Sequence, residues 1–136
     1  MEKYIIDHDI SLLYVQAATF PLGVGGAFKE LERKLGTNQA RPRYGISFPD
    51  GKGGILYRAA AEEAFAGEAE QAGCKTFTVR KGAYASIYLA DWKKDESSIG
   101  RAFNELLKHP QLDKQGYCLE IYPNGNDVRC LVPLTE

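Results

Sequence analysis

Apolar side chains recur along this chain in two rhythms. Val24, Phe28, Leu31 and Leu35 fall at i, i+4, i+7 and i+11, the spacing of one helix face, and Gly36 stops the pattern. Ile99, Ala102, Phe103, Leu106 and Leu107 form a second such stripe ahead of Pro110, with Asp95, Ser97 and Ser98 as cap candidates. Elsewhere the period is two. SLLYVQAATF, RPRYGISFPD, GILYRAA, KTFTVRKGAYASIYL and YCLEIYPNGNDVRCLVPL are rich in aromatic and β-branched residues and read as strands, several joined by Gly-containing turns. The segment AAAEEAFAGEAEQAG, 59 to 73, has helix-forming composition, yet the strand before it runs to about Ala61; residues 62 to 73 stay open at this level.

These elements occur twice. GAFKEL at 26 to 31 returns as RAFNEL at 101 to 106, seventy-five positions later, and FPDG at 48 to 51 returns as YPNG at 122 to 125, seventy-four positions later. The chain is therefore read as one domain, 1 to 136, built from a duplicated βαββ unit with pseudo-twofold symmetry, the first copy spanning about 10 to 61 and the second about 75 to 134. The fold class is α+β: an antiparallel sheet with helices on one face and a ligand cleft on the other.

Composition narrows the function. A chain of 136 residues buries roughly 68% of the surface of its unfolded form and needs no staple. With 17 basic and 18 acidic residues the net charge is -1, so phosphate-driven binding of nucleic acid is not expected. Three scattered cysteines, Cys74, Cys118 and Cys130, fit a reducing cytoplasm rather than a disulfide framework. No signal peptide, membrane span, metal motif or cofactor fingerprint is read; GVGGAF lacks the Lys-Ser/Thr of a phosphate loop. His8 and His109 read as surface residues, and no serine sits in a nucleophile motif.

One residue stands out. In CLEIY, Glu120 shares a strand face with Cys118 and Tyr122, while Leu119 and Ile121 face the other way. Aligning the halves on their turns sets Tyr44, Ile46 and Phe48 in the roles of Cys118, Glu120 and Tyr122. If the helices cover Gly45, Ser47, Leu119 and Ile121, the open side presents Tyr44, Phe48 and Tyr122 with Tyr84 and Tyr88, a ring-lined surface holding one carboxylate. Two hairpin registers are compatible with the turn. A two-residue Asn124-Gly125 turn sets Glu120 across from Arg129 as an ion pair, and the apolar pattern leans to it; a three-residue loop sets it across from Cys130.

VRKGAYASIY, the helix containing AFNELLKH, and GYCLEIYPNGNDVRCLVPL together resemble the second half of a GyrI-like domain, the effector-binding module of bacterial multidrug-sensing regulators and of stand-alone proteins; the first half is similar to that family's first half. The resemblance implies a cleft for bulky hydrophobic, often cationic, small molecules, with Glu120 facing the ligand and Tyr122 and Tyr84 in the lining. The chain departs from the family where a His-x-Gly-x-Tyr segment is common and LADW stands at 89 to 92; Trp92 either supplies the missing ring or packs at the helix base. Only about nine residues precede the first strand, so no DNA-binding helix-turn-helix is expected. The expectation is stand-alone binding or sequestration of hydrophobic or cationic compounds. Two alternatives use the same fold: a GyrI-like hydrolase with Glu120 as general base beside Tyr84 or Tyr88, and a regulator of a protein partner such as a topoisomerase.

Overall fold

The computed structural model describes residues 1 to 36 and 40 to 135. Eight strands and three helices follow one another as β1 (Glu2–Ile6), β2 (Ile10–Gln16), α1 (Val24–Leu35), β3 (Arg43–Pro49), β4 (Ile55–Glu62), α2 (Glu68–Ala72), β5 (Lys75–Val79), β6 (Gly82–Leu89), α3 (Ser98–Leu106), β7 (Cys118–Tyr122) and β8 (Val128–Pro133). No described helix is long and apolar enough to cross a membrane.

All eight strands form one antiparallel sheet in the order β1-β6-β8-β7-β3-β4-β2-β5. The order is a near-palindrome. The triplets β2-β4-β3 and β6-β8-β7 meet where β3 pairs with β7, and each accepts an outer strand from the other side of the chain. β1, just before β2, pairs with β6; β5, just before β6, pairs with β2. These two crossing strands extend the βαββ unit read from the sequence. The open segment 62 to 73 resolves into the end of β4 and the short α2.

The sheet curls around one large core. Ile6 of β1, Leu12 of β2, Tyr44 and Ile46 of β3, Val79 of β5, Tyr84 of β6, Leu119 of β7 and Leu131 of β8 belong to a single buried cluster, so strands from both edges of the sheet meet inside the curl. The helices lie on the opposite face. Ala27, Leu31 and Leu35 of α1 pack on Leu13, Ala59 and Ala61, and the small alanines let the helix approach β4 closely. Ala102 and Leu106 of α3 pack on Ala85, Val128, Cys130 and Val132. Ser97 occupies the N-cap of α3, but its hydroxyl donates to Asp95 instead of accepting from a helix amide.

The face assignment made from the turns is reversed. Gly45 pairs with Glu120 and Ser47 with Cys118, so these four positions share the helix-bearing face, whereas Tyr44, Ile46 and Phe48 share the core face with Leu119 and Ile121. The seventy-four-residue echo of the turns misleads by one position; the helix echo at seventy-five equates Gly45 with Glu120, and a shift of one residue swaps every side chain to the other face. The hairpin register is also the less favoured of the two: Glu120 stands across from Cys130 and Ile121 across from Arg129. Arg129 therefore points away from the acid, bonded to Glu2 and Ser86 and stacked on Tyr4 and Tyr88.

Candidate functional site

α1 covers β2 and β4 and α3 covers β6 and β8, which leaves the central pair β3 and β7 beneath the gap between the two helices. Glu120 stands in that gap. It is only 8% exposed, and its Oε1 accepts two phenol hydrogen bonds, from Tyr57 at 2.6 Å and from Tyr122 at 2.7 Å. Tyr122 is two residues along the same strand. Tyr57 comes from β4, where it pairs with Ser47 and leans across Gly45. A methyl group on Gly45 would lie 2.8 Å from Cζ of Tyr57 and closer still to its hydroxyl and to Glu120 Oε1, so the absent side chain makes room for the acid and the phenol.

Rings enclose this group. Phe28 of α1 meets Tyr57 and Tyr122 edge-on, with centroids 6.2 and 6.0 Å away. Phe20, in the loop before α1, stacks on Tyr57 at 5.7 Å. Trp92, on a 3-10 turn after β6, lies 5.9 Å from Tyr122. Such spacings are those of favourable aromatic pairs.

Burial pushes the Glu120 carboxyl above its ordinary value, opposed by the hydrogen bonds from Tyr57 and Tyr122, which favour the charged form. Among the described residues no Lys or Arg forms an ion pair with it. The Tyr57 and Tyr122 hydroxyls are pushed up by burial first and then by the adjacent carboxylate, so both remain donors. The Cys118 thiol, next along the same face, is raised to about 11, chiefly by burial. No group of three His, Cys, Asp or Glu able to hold a metal ion occurs among the described residues.

Of the residues singled out from the sequence, Glu120, Tyr122 and Trp92 come together here. The others do not. Tyr84, Tyr44, Ile46 and Phe48 lie on the core face: Tyr84 bonds Tyr117 and the carbonyl of Arg80, and Tyr44 donates to Glu62. Tyr88 sits half-exposed on that side with its hydroxyl on Asp127. The hydrolase pairing of Glu120 with Tyr84 or Tyr88 is thus absent; the phenols within reach are Tyr57 and Tyr122. Sequence reasoning missed Tyr57, Phe20, Phe28 and Gly45. Phe28 was visible only as a member of a helix stripe, and the signal for Gly45 was its seventy-five-residue offset from Glu120.

No family model and no curated protein matches the chain. Solved structures do. SAV2435 bound to tetraphenylphosphonium superposes with a TM-score of 0.66 at 11% identity, covering 99% of this chain and 94% of that one. An integron cassette protein from the mobile metagenome of Vibrio cholerae gives 0.69 at 12% identity, covering 98% and 95%. A Staphylococcus aureus MU50 protein thought to act in bacterial transcription regulation gives 0.63 at 14%, covering 100% and 99%. At these identities what is shared is the fold: an α+β chain whose curled eight-stranded antiparallel sheet carries its helices on one face.

Proposed function

We propose that this chain is a GyrI-like small-molecule binder that captures hydrophobic organic cations at Glu120, in the gap between α1 and α3. The observation that carries this reading is a buried carboxylate with two phenol donors, no paired Lys or Arg among the described residues, and rings on its flanks. An acid in that setting gains from an arriving cation twice. The cation restores the charged form that burial disfavours, and each ring face adds roughly 0.5 to 2 kcal/mol of cation-π attraction. Anions meet the reverse.

Flat or propeller-shaped cations suit ring walls because stacking tolerates many outlines. Phe20, 41% exposed on the loop before α1, is the ring that a ligand displaces or stacks upon as it enters. That SAV2435 was solved with tetraphenylphosphonium supports the choice of probe.

The test is titration with tetraphenylphosphonium, followed by the fluorescence of Trp92, the sole tryptophan. Replacing Glu120 by Gln removes the charge while keeping the shape, and weakens binding by about tenfold to a hundredfold, the effect of about 1.4 to 2.7 kcal/mol. Equal affinity in wild type and Glu120→Gln would falsify the reading. Turnover of an electrophilic compound that disappears in Glu120→Gln while binding persists would move the assignment to the hydrolase alternative.

A further inference from the structure

The gap that holds Glu120 has two unlike ends. Beyond Tyr122 it is bounded by Glu32, Arg41, Arg43 and Asn124, with Arg43 bonded to Glu32. Beyond Cys118 lies a groove of about 260 Å³ walled by Pro49, Ile55, Leu107, Leu112 and Val132. Ser47 and Cys118, paired across β3 and β7, form part of its floor. Each lies two residues along its strand from Gly45 or Glu120, on the same face, so the groove begins about 7 Å from the acid.

Three features say what fits there. First, Leu107 and Ile55 leave 48% and 44% of their surface in water at the groove's edge, although the chain buries most of its large apolar side chains. Second, the charged groups at the rim, Asp113 and Lys114, are of opposite sign, and Asp113 is paired with Arg80. Third, the volume lies below the roughly 300 to 1,000 Å³ that holds a whole drug-sized ligand. It offers room for roughly eight groups of about 30 Å³ each, an arm of a molecule whose remainder lies elsewhere.

We propose that this groove is the apolar arm of the Glu120 site, so that the ligand class is an amphiphilic cation with an onium head at Glu120 and a butyl-to-octyl or aryl arm running past Cys118 between the β3–β4 hairpin and the segment after α3. The inference rests on the reading of Glu120 as a cation site and adds the shape that the cation must have. The opposite end, edged by the Arg43–Glu32 ion pair and by Arg41, which is itself paired with Glu68, offers an arm little apolar wall, which orients the molecule.

The experiment titrates n-alkyltrimethylammonium ions, from ethyl to octyl, into wild type and three variants, following Trp92 fluorescence and calorimetric heat. In wild type each added methylene strengthens binding about threefold to fourfold until the arm fills the groove. In the double variant Ile55→Gln/Leu107→Gln, made at two exposed positions, the gain per methylene falls below about twofold while ethyltrimethylammonium binds as in wild type. Leu107→Ser alone lowers the gain part-way and serves if the double variant misfolds, as judged by circular dichroism. Glu120→Gln weakens the whole series by one common factor and keeps the gain per methylene. An undiminished gain in the groove variants overturns the groove assignment and leaves the Glu120 reading intact. Binding of the whole series unchanged by Glu120→Gln, or no binding at all, instead overturns the cation reading on which this inference stands. A neutral 1-octanol that binds the groove as tightly as octyltrimethylammonium would make it an independent apolar site and overturn the linkage.

Discussion

Replacing Gly45 by alanine probes the acid from the strand beside it. Gly45 lies in regular strand, without the positive φ that would demand glycine, so its backbone accepts alanine without strain. In an open strand position that change stabilises by about 0.5 to 1 kcal/mol. Here the added methyl lands among Tyr57 and Glu120, 2.8 Å from Cζ of the ring and nearer the two bonded oxygens. Either the phenol or the carboxylate must withdraw. Losing a hydrogen bond to a buried charged acceptor costs about 1 to 3 kcal/mol, and crowding a packed site about 1 to 3 more. The net expectation is destabilisation by about 1 to 5 kcal/mol, with tetraphenylphosphonium affinity falling alongside. Urea unfolding at neutral pH measures the first quantity and Trp92 fluorescence the second. Gly26→Ala is the control: it sits exposed in α1 with nothing within 4 Å of the new methyl, and gains about 0.5 to 1 kcal/mol. A Gly45→Ala protein as stable as wild type, with unchanged ligand affinity, would refute the packing argument and the geometry of the site with it.

The remaining predictions concern the same acid and one ion pair. Tyr57→Phe removes a donor from Glu120 Oε1, destabilises the fold by about 1 to 3 kcal/mol in urea unfolding, and raises the carboxyl's pKa further, which the carbonyl band of the acid reports by infrared titration. Because Glu120 titrates above its ordinary 4.5 in the folded chain, the folded state keeps a proton that the unfolded state releases; stability therefore falls as pH rises through that window, and Glu120→Gln flattens this limb. Cation affinity rises with pH over the same window, with proton release measurable by calorimetry in buffers of different ionisation heat. Arg41 and Glu68 form a nearly buried bidentate pair at 2.5 and 2.6 Å, and the guanidinium holds Glu68 below the ordinary carboxylate value. Glu68→Gln costs about 3 kcal/mol at neutral pH, and the loss vanishes as acid takes wild type down through the lowered Glu68 pKa.

Much of the architecture is legible from local pattern, since helix stripes and strand alternation express burial directly. The stripe ending at Leu35 and Gly36 is α1, the one ending at Leu107 is α3, whose last residue is Leu106, and the quoted strands are β2 to β8 in outline. β1 escaped because EKYII is short and carries acids nearby, and β5 was merged with β6 because nothing between Val79 and Gly82 announces the crossing. Their partners, β6 and β2, lie some seventy residues away, beyond the reach of any local signal.

Glu120 was conspicuous by chemistry alone: an ionisable group in an apolar strand flanked by rings. Its surroundings were not. Which rings stand beside it depends on strand parity, and a one-residue ambiguity between the seventy-four and seventy-five offsets exchanged Tyr44, Ile46 and Phe48 for Gly45, Ser47 and, through β4, Tyr57. The hairpin register, which carries Arg129 to the far face, turned on the same kind of single step. Period and composition determine that a strand exists and that one of its faces is buried. Only the pairing of strands distant in the chain decides which face that is, because the pleat alternates with every residue while a local pattern carries no absolute reference for up and down.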